Sequence, residues 1–121
     1  GGPGTGKTTT VAKFLALRFH RKNDLRVALA APTGKAAARL NESLAGAKKH
    51  LSIALQAFFE TIKAQTIHRL LGVKYGTPYF RYNADNPLPY DVVVVDESSM
   101  IDVALMAKLF DAVGDETQLL L

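Results

Sequence analysis

A glycine-rich stretch at residues 1–8 constrains the fold more than any other feature of this 121-residue chain. Its sequence, Gly-Gly-Pro-Gly-Thr-Gly-Lys-Thr, matches the pattern G-x-x-x-x-G-K-[ST]. Glycines in such a loop let the backbone approach phosphate oxygens closely, and the N–H groups then meet the anion at a helix N-terminus. Because a buried strand leads into this kind of loop and a helix follows it, the pattern predicts an α/β sheet protein that binds nucleotide phosphates.

The loop also assigns roles to individual residues. Lys7 supplies a mobile positive charge for the β- and γ-phosphates, and the hydroxyl of Thr8 is expected to ligate Mg²⁺. The residues expected to contact the nucleotide are Gly1, Gly2, Gly4, Thr5, Gly6, Lys7, Thr8 and Thr9. A chance glycine turn before a helix is the alternative, and the length of the complete pattern argues against it.

A second signal is the run of four valines, Val92–Val95, that ends in Asp96 and Glu97. Such a run is typical of a strand buried on both faces of a parallel sheet, and ligands bind at the carboxyl ends of these strands. Asp96 is therefore predicted to face the Mg²⁺ held by Thr8, and Glu97 to orient and deprotonate an attacking water. Together with Lys7, these acids are the predicted catalytic residues. A water-activating Glu and the lack of an Asn-Lys-x-Asp guanine motif indicate hydrolysis of ATP or of nucleoside triphosphates in general.

Helical and strand patterns alternate along the chain, which predicts a doubly wound parallel sheet flanked by helices. The predicted helices cover residues 6–22, 34–45, 51–64, 67–71 and 99–113. Ser99 and Asp102 are expected to form a capping-box variant at the start of the last helix. The predicted strands cover residues 26–31, 92–95 and 117–121, and residues 72–90 are expected to form a loop or hairpin.

Composition excludes several other classes of protein. The chain has no Cys, so disulfide frameworks and thiolate metal sites are excluded, and His20, His50 and His68 lack the spacing of metal ligands. The apolar runs fall well short of the ~18 residues that a membrane span requires, so no membrane partner is expected. Residues 1–50 hold ten of the 15 basic residues and two of the 11 acids. This charge suits an anionic partner such as a nucleotide or nucleic acid, although charge alone favours the simpler interpretation of a solvated basic helix face.

A further candidate anion site follows the predicted strand at residues 26–31. The residues concerned are Pro32, Thr33, Gly34 and Lys35. They form another helix N-terminus at the same edge of the sheet. A backbone phosphate of a nucleic acid is a suitable ligand for such a site. Arg39 lies one turn further along the helix and can add to the site. An ordinary strand–turn–helix corner explains the same residues, and the pattern alone leaves the two interpretations open.

Two later segments have the same ambiguity. In the segment Thr66–Gly72, His68 and Arg69 are placed to face nucleic acid while the apolar residues pack inward, although a structural role for His68 is the simpler interpretation. Five of the ten aromatic residues lie between residues 75 and 90, close in sequence to the cations Lys74 and Arg81. They can stack on the bases of a single strand or anchor a long loop to the core, and anchoring is the favoured interpretation.

Four segments, in this order, resemble the RecD-type superfamily 1 DNA helicases: GGPGTGKTTT, APTGKAAARL, TIHRLLG and VVVVDESSMID. This family includes the alpha chain of bacterial exodeoxyribonuclease V, and the four segments cover about a third of the sequence. The resemblance implies that residues 1–121 are part of the N-terminal RecA-like ATPase domain, the first motor domain, of such a helicase. It further implies a P-loop NTPase sheet flanked by helices, here incomplete because its first strand is missing.

The resemblance also implies an activity and partners. The family uses ATP and Mg²⁺ to move 5′ to 3′ on single-stranded DNA in the bacterial cytoplasm, and it repairs double-strand breaks together with the beta and gamma chains of exodeoxyribonuclease V. By this likeness the DNA contacts are Pro32, Thr33, Gly34, Lys35, His68 and Arg69, and Arg39 joins them because of its position one turn further along the helix. Thr8 and Asp96 hold the metal ion, and Glu97 acts on water.

Compared with the family pattern, the strand before the glycine loop and the second motor domain are missing, so we expect this chain to be a fragment. By itself it is expected to hydrolyse little or no ATP, residues 1–6 are expected to be poorly ordered or displaced, and an unpaired sheet edge favours a dimer. Two other functions remain open: a P-loop ATPase that is not a helicase, and a non-catalytic module that binds single-stranded DNA.

Overall fold

The computed structural model describes residues 5–74, 76–77 and 79–121, with the backbone alone for residues 5–9. The strands in this part are β1 (Val27–Ala31), β2 (Ala64–Thr66), β3 (Val92–Val95) and β4 (Gln118–Leu120). The α-helices are α1 (Thr5–Arg21), α2 (Gly34–Ala47), α3 (Ile53–Glu60), α4 (Ile67–Leu71) and α5 (Val103–Ala112). In the described ranges, no helix is both long enough and apolar enough to cross a membrane.

The strands form one parallel sheet in the order β2-β1-β3-β4, with helices packed against both faces. Alternate valines of β3 explain this arrangement, because all four side chains are buried and they point to opposite faces. Val92 and Val94 join a core that includes residues of α1, α2 and α3. Val93 and Val95 join a second core with residues of α4 and α5. The predicted parallel sheet flanked by helices is therefore confirmed.

One predicted helix is wrong in its last four residues. The sequence predicted helix over residues 51–64, whereas α3 ends at Glu60 and Ala64 already belongs to β2. A three-residue strand is too short to show an alternating pattern, so periodicity could not reveal it. The start of β2 is held by Asn41 on α2. The side-chain amide of Asn41 donates to the Ala64 carbonyl at 3.2 Å, and its Oδ1 accepts from the Ala64 N–H at 2.8 Å.

The start of the last helix also differs from the prediction. Ser98–Met100 form a short 3₁₀ turn, Ile101 is extended, and α5 begins only at Val103. The N-cap is Asp102, whose Oδ1 accepts from the Leu105 N–H at 2.8 Å, so Ser99 does not cap this helix. The extended backbone at Ile101 separates the 3₁₀ turn from α5 and explains why one continuous helix does not form.

Asp91 ties α1 to the amino-terminal edge of the sheet, just before β3. Its carboxylate accepts from the backbone N–H of Arg26 at 2.8 Å and from Lys22 Nζ at 3.0 Å. Nearby, the Arg18 guanidinium donates to the side chain of Gln118 at the start of β4. The C-terminal end of α1 therefore lies at this edge, and the helix runs antiparallel to the strands, with its N-terminus towards their carboxyl ends.

Replacing Asp91 by Asn is expected to lower the free energy of unfolding at pH 7 by about 1 kcal/mol, the usual difference between a charged and a neutral hydrogen bond. The N–H of Arg26, followed by Lys22, holds the pKa of Asp91 below its ordinary value despite the opposing effect of burial. The carboxylate therefore stabilises the fold above its unfolded-state pKa of about 3.9, and this contribution is lost as the pH falls through the lower folded-state pKa.

Urea denaturation of wild type and Asp91→Asn at pH 7 and pH 2 tests this expectation. The difference between the two proteins should be smaller at the lower pH. Asp111→Asn, an exposed carboxylate on α5, is the matched control and should have no effect. An Asp91→Asn difference of equal size at both pH values would contradict the charge-based account.

Candidate active site

The carboxyl ends of β1 and β3 bring the predicted catalytic acids beside the second predicted anion site. The two strands are parallel neighbours with Ala30 opposite Val95, and the Asp96 N–H continues the ladder by donating to the Ala30 carbonyl at 2.9 Å. Asp96 and Glu97 follow β3, and residues 32–35 follow β1, so the two loops lie side by side. The sequence predicted this shared edge correctly.

Glu97 has the least ordinary backbone in this region. Its φ of 55° and ψ of 42° lie in the left-handed region, and no other described non-glycine residue has a positive φ. Such a conformation costs on the order of 1–3 kcal/mol and is found most often at functional sites. The Asp96 hydrogen bond on one side and the Met100 N–H, which donates to the Glu97 carbonyl at 3.0 Å, hold this turn in place.

The carboxylate of Glu97 faces a cation on α2. Its Oε1 lies 3.6 Å from Nη2 of Arg39, and about a quarter of the Glu97 side chain is exposed, against more than half of the Arg39 side chain. The sequence indicated a DNA contact for Arg39 and did not predict this ion pair. The ion pair could have been predicted from the position of Arg39 on α2, because α2 follows β1 and β1 is the neighbour of β3.

Asp96 fits the role of a metal ligand. It is partly buried at the end of β3, and its carboxylate makes no hydrogen bond or ion pair with the residues that the structure describes. A carboxylate oxygen without a protein partner is a ligand type that Mg²⁺ prefers. The donor chemistry and the position at the carboxyl edge are therefore compatible with a Mg²⁺–nucleotide complex.

The direction of α1 is compatible with the same complex. Its 17 residues span about 25 Å, roughly twice the length of β3, and its C-terminal end is attached at the opposite edge through Lys22 and Asp91. The N-terminal turn of α1 therefore reaches the edge where Asp96 lies. Gly1, Gly2 and Gly4 lie outside the described residues. For Thr5, Gly6, Lys7, Thr8 and Thr9 the backbone alone is described, so their contacts stay predictions, as does the expected displacement of residues 1–6.

The N-terminus of α2 is a capped, solvent-facing turn. Thr33 is the N-cap, and its Oγ1 accepts from the Ala36 N–H at 3.1 Å. Gly34 and Lys35 are exposed, and a side chain at Gly34 would meet no atom within 4 Å. The first N–H groups of a helix have no partner within it, so those of Gly34 and Lys35 are available to an anion.

His68 and Arg69 lie at the same edge, on α4 directly after β2. Ile67, Leu70 and Leu71 are buried, as the sequence predicted, while His68 and Arg69 are exposed. Two strand spacings, about 10 Å, separate β2 from β3 in the sheet. His68 also contacts Phe80, with ring centroids 6.0 Å apart, so both interpretations of this histidine stay open.

Between residues 72 and 90 the described residues form no helix or regular strand, only isolated antiparallel bridges of Val73 with Phe80 and of Asn83 with Asn86, as expected for the predicted loop or hairpin. Phe80, Tyr82 and Tyr90 pack against the second core, which confirms the anchoring role for these three aromatic residues. Gly72 makes the turn that starts the loop: its φ is +79°, and a Cβ there would lie 2.7 Å from the Cβ of Arg81. Tyr79 is exposed, and Tyr75 lies outside the described residues.

Comparisons with known proteins agree with this geometry. A family model described as "AAA domain" matches residues 1–121. Similar curated proteins include "RecBCD enzyme subunit RecD" of Haemophilus influenzae, 50% identical, and that of Mycolicibacterium smegmatis, 48% identical; all of this chain aligns with 20% and 23% of their lengths. The "ATP-dependent RecD2 DNA helicase" of Deinococcus radiodurans is 43% identical over all of this chain and 14% of its own length. The chain thus spans between 14% and 23% of the length of these relatives.

Proposed function

Because this chain belongs to the AAA domain family, we propose that it forms the ATP-hydrolysing part of a DNA helicase motor. The observation that carries the proposal is the shared sheet edge, where Asp96 and Glu97 stand beside the exposed helix N-terminus at Gly34 and Lys35. A motor driven by ATP on DNA needs a hydrolytic site and a phosphate-binding site that are mechanically connected. Adjacent strands provide that connection.

The proposed roles follow from the positions of the residues. Bound ATP–Mg²⁺ supplies the phosphoanhydride bond whose hydrolysis releases energy. Lys7 neutralises phosphate charge, and Thr8 and Asp96 hold the metal ion. Glu97 orients the water and takes its proton.

The DNA side of the site is proposed to bind the backbone of single-stranded DNA. Its residues are Pro32, Thr33, Gly34, Lys35, Arg39, His68 and Arg69. All of them follow the carboxyl ends of β1 and β2, and Lys35, Arg39, His68 and Arg69 are exposed. Phosphate contacts of this kind position a strand without reading its sequence.

The relatives support a more specific proposal. Two of them are named RecD subunits of the RecBCD enzyme, and a third is named a RecD2 DNA helicase. We therefore propose a longer protein, of which this chain is a segment, that moves 5′ to 3′ on single-stranded DNA. Its proposed setting is the bacterial cytoplasm, in double-strand-break repair with the beta and gamma chains of exodeoxyribonuclease V. Dimer formation by the segment stays a prediction.

Substitution of Lys35 by Ala in the full-length protein tests the DNA side of the proposal. We expect a higher DNA concentration at half-maximal stimulation of ATP hydrolysis. We also expect the salt dependence of DNA binding to fall by about 0.7 in log–log slope, the value for one lost phosphate contact on a single strand. Steady-state hydrolysis and fluorescence anisotropy at several salt concentrations measure the two quantities.

Lys49→Ala is the matched control, because Lys49 is exposed and lies beyond the far end of α2. It should leave the salt slope and the DNA response as in wild type. Equal salt-dependence slopes in wild type, Lys35→Ala and Lys49→Ala would contradict the assignment of Lys35 as a DNA phosphate contact. The residues after β1 would then be an ordinary corner, and the non-helicase ATPase would become the better interpretation.

A further inference from the structure

We propose that Arg39 is a positioning residue that restrains Glu97 until a DNA phosphate draws its guanidinium away. The inference rests on the proposed function, because it assumes that Glu97 acts on water and that DNA binds at the N-terminus of α2. The ion pair between α2 and the loop after β3 then has a regulatory role, because it keeps ATP hydrolysis slow in the absence of DNA.

The first step of the inference concerns what can move at Glu97. Its backbone is held in the left-handed conformation by hydrogen bonds on both sides, from the Asp96 N–H to the Ala30 carbonyl and from the Met100 N–H to its own carbonyl. The side chain is the part left free to change position. Among the side chains that the structure describes, Arg39 is the cation beside its carboxylate, at 3.6 Å.

The second step concerns the strength of this pair. At 3.6 Å the contact is an ion pair without a short hydrogen bond, and the guanidinium is more than half exposed. Exposed pairs of this kind contribute little to stability, so competing ligands exchange with them readily. The pair can therefore hold the carboxylate in one position in the free protein and still yield to another anion.

The third step concerns that other anion. Lys35 and Arg39 are four residues apart on α2, so their side chains lie on the same face of the helix, one turn from each other. A DNA phosphate bound by Lys35 and the N-terminal N–H groups is then within reach of Arg39. A guanidinium binds phosphate through two parallel hydrogen bonds, which a single long contact to Glu97 does not match. DNA binding thus releases the Glu97 carboxylate to act on water.

Steady-state ATP hydrolysis by full-length Arg39→Ala, with and without single-stranded oligonucleotide, tests the proposal. We expect kcat without DNA to rise by about 5-fold or more, the lower range of coupling between two sites, with the KM for ATP unchanged. The stimulation by DNA should shrink by the same factor. Arg39→Lys keeps a cation on the same face and should retain part of the restraint, so its kcat without DNA should rise by a smaller factor.

Two further variants make the result specific. Arg39→Ala combined with Glu97→Gln should be as slow as Glu97→Gln alone, because Arg39 acts through Glu97. Arg21→Ala, an exposed arginine at the far end of α1, should behave as wild type.

An Arg39→Ala protein with unchanged or lower kcat in the absence of DNA would overturn the proposal, whether or not DNA binding is weakened. If the alanine variant does not fold, an Arg39→Lys protein with unchanged or lower kcat in the absence of DNA overturns it equally. Failure of the proposed function looks different: the wild-type protein itself would then show no stimulation of hydrolysis by DNA.

Discussion

Replacing Glu97 by Gln is expected to lower kcat for ATP hydrolysis of the full-length protein by about 10²–10⁴-fold, the usual contribution of a general base. The amide retains the shape of the side chain but cannot take a proton from water. Nucleotide affinity should change little, because Glu97 is assigned to the water and Asp96 to the metal ion. The left-handed backbone of Glu97 should also persist, since hydrogen bonds of its neighbours hold it.

Steady-state hydrolysis at saturating ATP measures this effect, and binding of a fluorescent ATP analogue measures affinity separately. Glu42→Gln, an exposed glutamate on α2, is the matched control and should retain wild-type kcat. A Glu97→Gln protein with more than a tenth of the wild-type kcat would show that another group activates the water.

The second large effect is expected for Lys7→Ala in the full-length protein. Removal of a preorganised positive group from a site of developing phosphate charge usually lowers kcat by about 10²–10³-fold. Here ATP binding should weaken as well, because Lys7 contacts the phosphates of the ground state. We therefore expect the KM for ATP to rise in Lys7→Ala, in contrast to Glu97→Gln, where binding is retained.

Lys13→Ala is the control for this variant, because Lys13 is exposed on α1, beyond the glycine loop. It should hydrolyse ATP at the wild-type rate with an unchanged KM. If Lys7→Ala retained wild-type kcat/KM, the glycine loop would not be the nucleotide site, despite its complete pattern.

The parts of the fold that sequence predicted are those in which local pattern and tertiary environment agree. Four consecutive valines require burial on both faces, and β3 lies in the interior of the described sheet. The apolar spacing of Ile67, Leu70 and Leu71 places them inward whether or not α4 contacts DNA. The position of Asp96 and Glu97 at the carboxyl end of β3 agrees with the rule that ligands bind where parallel strands end, and their catalytic roles stay predictions.

The parts that sequence did not predict depend on contacts between distant segments. The strand β2 has three residues and forms where the amide of Asn41 clamps the backbone of Ala64. The interruption before α5 accompanies the left-handed backbone of Glu97, which no local pattern signals. The ion pair of Arg39 with Glu97 arises because β1 and β3 are neighbours, and the order of strands in a sheet is a tertiary property.

The central claim is that ATP hydrolysis at Glu97 responds to DNA at the adjacent loop. Its most direct test is ATP hydrolysis by the full-length protein with and without single-stranded DNA. We predict strong stimulation by DNA, which is lost when Lys7 is replaced by Ala. Hydrolysis at the same rate with and without DNA would contradict the claim and indicate an ATPase of another kind.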